Sequence, residues 1–132
     1  MNTTTNQPTV LIRIEHPTSG KGMFNHLFYC ENRELLQEFF ERHRNLPCPY
    51  EHYETIEMRE AFGYSGNGFY CSYKSNVQMS EWVNMNEFEY IINAGFKIYA
   101  ITIEDCIIGN YQAIYKKENI IKQEDITSMY LK

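Results

Sequence analysis

Two stretches of this chain alternate apolar and polar positions and are rich in β-branched side chains: Thr9–Glu15 (TVLIRIE) and Phe96–Ile103 (FKIYAITI). That period-two pattern is the signature of a half-buried strand, and it predicts a β-strand at each place. In the first, Val10, Ile12 and Ile14 share one face, and Leu11, Arg13 and Glu15 share the other. A cation in mid-strand is the least ordinary of these residues. The length, 132 residues, matches one domain. With 43% hydrophobic and 22% charged residues, a wholly disordered chain is excluded. A domain of this size buries roughly two thirds of its unfolded surface, so it can fold without disulfide or metal staples.

The remaining elements are read from caps, breakers and period. Residues 1–8 read as a disordered polar tail, and 9–132 as a single α+β domain. His16–Phe24 (HPTSGKGMF) is a loop punctuated by Pro17, Gly20 and Gly22, and His26–Cys30 is a short extended piece. Asn32 is a suitable N-cap for a helix over about 32–44, with Leu35, Leu36, Phe39, Phe40 and His43 at helical spacing. Residues 45–53 form a loop around two prolines, and 54–60 fit either a short helix or an edge strand. Phe62–Tyr64 and Phe69–Tyr73 read as a hairpin around Ser65–Gly68. Ser75 caps a short helix carrying Val77, Met79, Trp82 and Val83. A second helix, 86–94, turns Ile91 and Ile92 inward and stops at Gly95. Cys106–Ile108 and Tyr111–Tyr115 are extended, and 116–132 are polar with apolar anchors at Ile120, Ile121, Ile126 and Met129. The class is α+β: a mostly antiparallel twisted sheet with two or three short helices.

Composition narrows the function. A net charge of −5 argues against a sequence-tolerant nucleic-acid binder, which needs a basic face to displace counterions, so no direct nucleic-acid partner is expected. No apolar run approaches the roughly 20 residues of a membrane-spanning helix. The first eight residues have neither the basic nor the apolar region of a signal peptide, so a cytosolic setting without a membrane partner is expected. Cys30, Cys48, Cys71 and Cys106 form no C-x-x-C pair and are expected to be reduced. His43, Cys48 and His52 lie close together, with Cys30 or Cys71 available to join them, but the spacing fits no standard zinc module, so no metal site is assigned. The unusual count is 11 Tyr against 8 Phe and 1 Trp. Tyrosine suits a half-buried sheet, and it also suits a surface that grips a ring or a partner.

The candidate site follows from these placements. Arg13 offers a guanidinium fork suited to phosphate, and the Gly20-Lys21-Gly22 loop that follows supplies backbone amides and a second cation for a cradle. The alternative for Arg13 is a pair with Glu15 or with a Glu on another strand. Phe24, Tyr73, Ser75 and Gln112 complete the proposed ligand-binding set, although Ser75 also reads as a plain N-cap. No Ser-His-Asp, H-E-x-x-H, P-loop or Rossmann pattern occurs, and the catalytic residues are unassigned.

The order of several motifs carries a resemblance. An Arg13-Ile-Glu15 strand leads into a Gly20-Lys-Gly22 loop ending at Phe24. Tyr73-Lys-Ser75 then starts a helix bearing Trp82, and Gln112-Ala-Ile-Tyr115 lies on a late strand. Over roughly residues 10–116 this order resembles a group of small phage-encoded proteins. For a phage protein, the expected compartment is the cytoplasm of the infected host. A looser resemblance is to single-domain ADP-ribosyltransferases, including those some phages use against CRISPR systems. That resemblance implies an ADP-ribosyltransferase-like fold in which Arg13 grips the phosphates of NAD, Tyr73 and Ser75 wall the nicotinamide pocket, and Gln112 meets the ribose. Gln112 stands where most members of that family carry Glu. An amide can bond the ribose hydroxyl but brings no negative charge to an oxocarbenium-like transition state.

These readings favour a phage counter-defence protein that acts by binding. It would inhibit a host immune component, of CRISPR or nucleotide-signalling type, or sequester a nucleotide signal, with no cofactor. The alternative is an enzyme, an ADP-ribosyltransferase that uses NAD or an ADP-ribose-like nucleotide to modify a host protein. A third reading is a virion accessory or assembly protein.

Overall fold

A computed structural model of the chain describes residues 3–5, 7–20, 22, 32–44 and 69–131; at 3–5, 43 and 44 only the backbone is considered. The expected pieces at 26–30, 45–53, 54–60 and 62–64 lie outside the described residues, as do Lys21, Phe24, Cys30, Cys48 and His52.

The described chain is α+β, with every strand pairing antiparallel. One sheet has the order β1-β5-β6-β3, made of β1 (Thr3–Thr5), β3 (Phe69–Ser72), β5 (Cys106–Ile108) and β6 (Ala113–Lys116). The other has the order β2-β4-β7, made of β2 (Thr9–Glu15), β4 (Lys97–Ile103) and β7 (Ile120–Asp125). The two alternating segments that open the sequence reading therefore pair with each other, from Thr9↔Ile103 to Glu15↔Lys97. Among the described residues one backbone bridge joins the sheets: Ile12 N donates to Tyr73 O at 2.7 Å and Tyr73 N donates to Ile12 O at 2.8 Å.

Two expectations change here. Thr3–Thr5, read as part of a disordered tail, pair as β1 along β5. Threonine is a good strand residue whose polarity hides the signal. Residues 120–125, read as polar chain with apolar anchors, form strand β7. Five of its six residues are exposed, so it lacks the alternation by which strands are recognised.

Burial divides into two main clusters because β2 and β4 are covered on both faces. On one face, Ile12, Ile14 and Ile98 meet the helices α1 (Gln37–Arg44), α2 (Asn76–Met79) and α3 (Phe88–Asn93) and the turns beside them, through Leu36, Phe39, Phe40, Met79, Trp82, Val83, Phe88 and Ile91. On the other, Leu11, Ile101 and Ile103 meet Cys106, Ala113 and Tyr115 of the second sheet. Burying each Ile or Phe is worth about 1.5–3 kcal/mol. Val10 shares a face with Ile12 and Ile14 but is exposed; it pairs with Thr102 at the end of the sheet, outside the rows that belong to the helix-facing cluster. Leu35, expected on the inner face of its helix, is exposed, while Leu36 is buried. Of the C-terminal anchors, Ile120 and Ile126 are half-buried, whereas Ile121 and Met129 face solvent.

The stop at Gly95 has the bonding of a Schellman motif: Gly95 N donates to Ile92 O at 3.0 Å and Phe96 N to Ile91 O at 3.3 Å, with Gly95 at φ +100°. Phe96 and Ile91 meet in the core, and the His16 ring stands edge-on to Phe96. A Cβ on Gly95 would lie 2.8 Å from His16 Nε2. Gly20 also has positive φ, +72°, but its Cβ position is open. Gly95→Ala should therefore cost more than Gly20→Ala, about 2–3 kcal/mol against about 1 kcal/mol. Urea denaturation of the two variants checks this, and equal losses would contradict the role given to His16.

Candidate functional site

Arg13 is the centre of the polar structure. It lies mid-strand on β2 and is only 5% exposed. Its Nε donates to Glu15 Oε1 at 2.6 Å, its Nη1 to Cys71 O at 2.7 Å, and its Nη2 to Gly20 O at 2.9 Å. The Tyr70 ring lies under the guanidinium, 5.0 Å from centroid to Cζ, and Tyr70 contacts Tyr115 in turn. The Arg13–Glu15 pair follows from spacing, because residues two apart on a strand share a face. The other two bonds reach carbonyls in a loop and on a different strand. Both Nη atoms also lie within about 4.0 Å of where a Cβ on Gly22 would be, and Gly22 forms a bridge with Glu15. Gly20 thus turns its carbonyl toward the guanidinium.

Tyr73, Ser75 and Gln112 gather elsewhere, at the end of β3. Strand alternation and the Ile12 bridge put Tyr73 in the helix-side core beside Trp82, with ring centroids 6.0 Å apart. Ser75 caps α2, its Oγ accepting from Gln78 N at 3.1 Å. Gln112 is buried next to Ala113, which pairs with Ser72, and its carbonyl accepts from Gly109 N at 2.8 Å. Of the sequence-predicted site, then, Arg13, Gly20 and Gly22 come together, and Tyr73, Ser75 and Gln112 form a second group across the β2–β3 seam. Lys21 and Phe24 lie outside the described residues.

The second group is held by side chains that the sequence did not single out for this role. Gln78, buried, accepts from Lys74 N at 2.9 Å and donates to Gly109 O at 2.7 Å. Trp82 Nε1 donates to Tyr111 O at 2.7 Å, so two side chains of one helical segment clamp the β5–β6 turn. Behind them Arg42 forms a two-pronged pair with Glu87, at 2.9 and 3.0 Å, and also donates to Trp82 O at 2.7 Å. Glu87 Oε1 accepts from Asn84 N as well. The Asn84-x-x-Glu87 spacing, an N-cap residue with Glu at the third position, is the signal that marks Glu87 in sequence. Its partner 45 residues away carries no such mark.

Burial raises the hydroxyl pKa of Tyr73 and Tyr115 well above the ordinary 10.0, and for both the Arg13 charge partly offsets the rise. Neither is poised as an acid or base near neutrality. Burial also raises the Cys106 thiol, which a hydrogen bond with Thr9 partly counters. No group of three or more His, Cys, Asp or Glu among the described residues is arranged to hold a metal ion, and His43, Cys48 and His52 are not among the described side chains.

The bacteriophage T4 Y00F protein family matches residues 2–128. The chain belongs to that family. No curated protein and no solved structure shows significant similarity to it. Membership makes this a phage protein, in agreement with the resemblance to small phage-encoded proteins. No helix among the described residues is long and apolar enough to cross a membrane.

Removing one partner from a buried ion pair typically costs about 3–5 kcal/mol. Arg13 is buried but Glu15 is partly exposed, so Arg13→Ala should cost somewhat less, about 2–4 kcal/mol, in urea denaturation. Arg13→Lys should recover little, because an ammonium cannot make three divergent bonds from a planar fork. A variant as stable as the parent would show that the seam holds without the guanidinium. A second outcome concerns pH. A tyrosine whose folded pKa is raised contributes stability that is fully present below pH 10.0, its ordinary value, and is lost as pH rises above it. Each such tyrosine should cost about 1.4 kcal/mol per pH unit beyond that point. Phenolate absorbance should show Tyr73 and Tyr115 ionising only with unfolding, and Phe substitution at both should shift that transition to higher pH.

Proposed function

We propose that this phage protein is a counter-defence protein that acts by binding in the host cytoplasm, blocking a host immune component of CRISPR or nucleotide-signalling type. The observation that carries the binding reading is the closure of Arg13. The residue best suited to grip a phosphate spends its three nitrogens on Glu15, Cys71 and Gly20. A nucleotide would have to displace a carboxylate and two carbonyls from a nearly buried guanidinium. Ser75 is likewise engaged in capping, and Gln112 is buried beside a turn that its backbone carbonyl helps to close. This favours contact with a protein over sequestration of a nucleotide or transfer of ADP-ribose. Phage family membership and the net charge of −5 support a cytoplasmic target other than nucleic acid.

The test is functional and then physical. In a bacterium with an active CRISPR or nucleotide-signalling defence, the protein should restore plating of a phage that the defence blocks. The corresponding purified defence protein should bind it directly by calorimetry. NAD, ADP-ribose and cyclic nucleotides should give no heat, and NAD should add no mass to the target. Unchanged defence in every system tried, or tight binding of one of those nucleotides, would overturn the proposal.

A further inference from the structure

Among the described residues the outer edge of β7 is the longest that carries no backbone bridge; β2, the other edge of its sheet, is bridged to Tyr73 at Ile12 and to Gly22 at Glu15. The strand pairs with β4 on one side, its six residues are exposed except for half-buried Ile120, and no described strand borders its other side. The edge of β1 is only three residues long, and β3 is tied to β2 through Tyr73 and Arg13. Edge strands carry rows of unpaired amides and carbonyls that accept another strand unless charge, proline or a bulge prevents it. β7 has no proline, and its one irregularity lies at Ile121, where the register slips between Thr102 and Ile103. Residues 122–125 beyond it are regular.

The direction of the outward groups is set by the inner ladder. Ile126 N donates to Ile98 O at 2.8 Å, so Ile126 faces β4. By antiparallel alternation, Glu124 and Lys122 also bond toward β4, and Gln123 and Asp125 present their amides and carbonyls outward. A second strand running antiparallel must then match outward residue to outward residue. For two copies of β7 related by a twofold axis, four such registers are centred within the regular residues 122–125, and the one centred on Asp125 opposes two carboxylates. One centred on Lys122 opposes two ammonium groups. One centred on Glu124 opposes two carboxylates. The register centred on Gln123 sets Lys122 of each copy opposite Glu124 of the other.

We propose that β7 pairs with β7 of a second copy of this chain, antiparallel about Gln123, joining two three-stranded sheets into one six-stranded sheet. The charges that would guard this edge against most strands are complementary to themselves in that register. Within one copy Lys122 Nζ already lies 2.7 Å from Glu124 Oε1. That surface pair is weakly held in water, so exchanging partners across the dyad costs little. The contact is short, and it predicts a reversible dimer in the micromolar to millimolar range.

Sedimentation across that range tests it. The parent should associate reversibly. Lys122→Glu and Glu124→Lys should each weaken association by about tenfold or more, because each opposes two like pairs. The double exchange, Lys122→Glu with Glu124→Lys, should restore it. Gln123→Pro, which removes an outward amide and leaves the inner ladder intact, should give a monomer with unchanged circular dichroism. A parent that stays monomeric up to millimolar concentration, a dimer indifferent to Gln123→Pro, or a double exchange that fails to recover would each overturn the proposal.

Discussion

The guanidinium of Arg13 ties β2, β3 and the Gly20 loop together where the two sheets part. β2 and β3 meet through one pair of backbone hydrogen bonds, Ile12 to Tyr73, and then diverge into separate sheets. At the point of divergence the Cys71 carbonyl on β3 faces away from its own partner strand, and the Gly20 carbonyl turns inward from the loop. Unmet, each would cost the desolvation of a buried carbonyl, on the order of 1–3 kcal/mol. One side chain satisfies both while its charge is balanced by Glu15 and its open face lies over Tyr70. The rigid fork allows this, since three nitrogens diverge in one plane.

Around that seam the protein uses polar side chains as clamps between apolar layers. The helix side is apolar where it meets Ile12, Ile14 and Ile98. Several of its polar groups are directed at backbone that has left regular structure: Gln78 at Gly109, Trp82 at Tyr111, Arg42 at the end of the Trp82 segment. The Arg42–Glu87 pair is largely shielded, so it adds little net stability beyond what an apolar pair would give, but it fixes how α1 sits against the turn before α3.

This arrangement bears on function through what it leaves over. Polar groups that look available in sequence are consumed in joining sheets and holding turns. What remains outward, among the described residues, includes the edge of β7.

Much of the frame was legible in the residues. Period-two alternation determined β2 and β4, because a strand with one apolar face has few other places to put it. The Ser75 cap, the Gly95 stop and the burial of Trp82 also followed from local chemistry. Arg13 stood out, and its pairing with Glu15 was readable from spacing. Local pattern could not tell that Leu11 would be as deeply buried as Ile12, since that depended on a second sheet folding over β2. Nor could it find β7, whose exposed residues carry no alternation. Whether Arg13 met a ligand or the protein's own carbonyls was decided by residues 7 and 58 positions away. A sequence states which donors a chain possesses; the tertiary fold alone determines which acceptors come within reach.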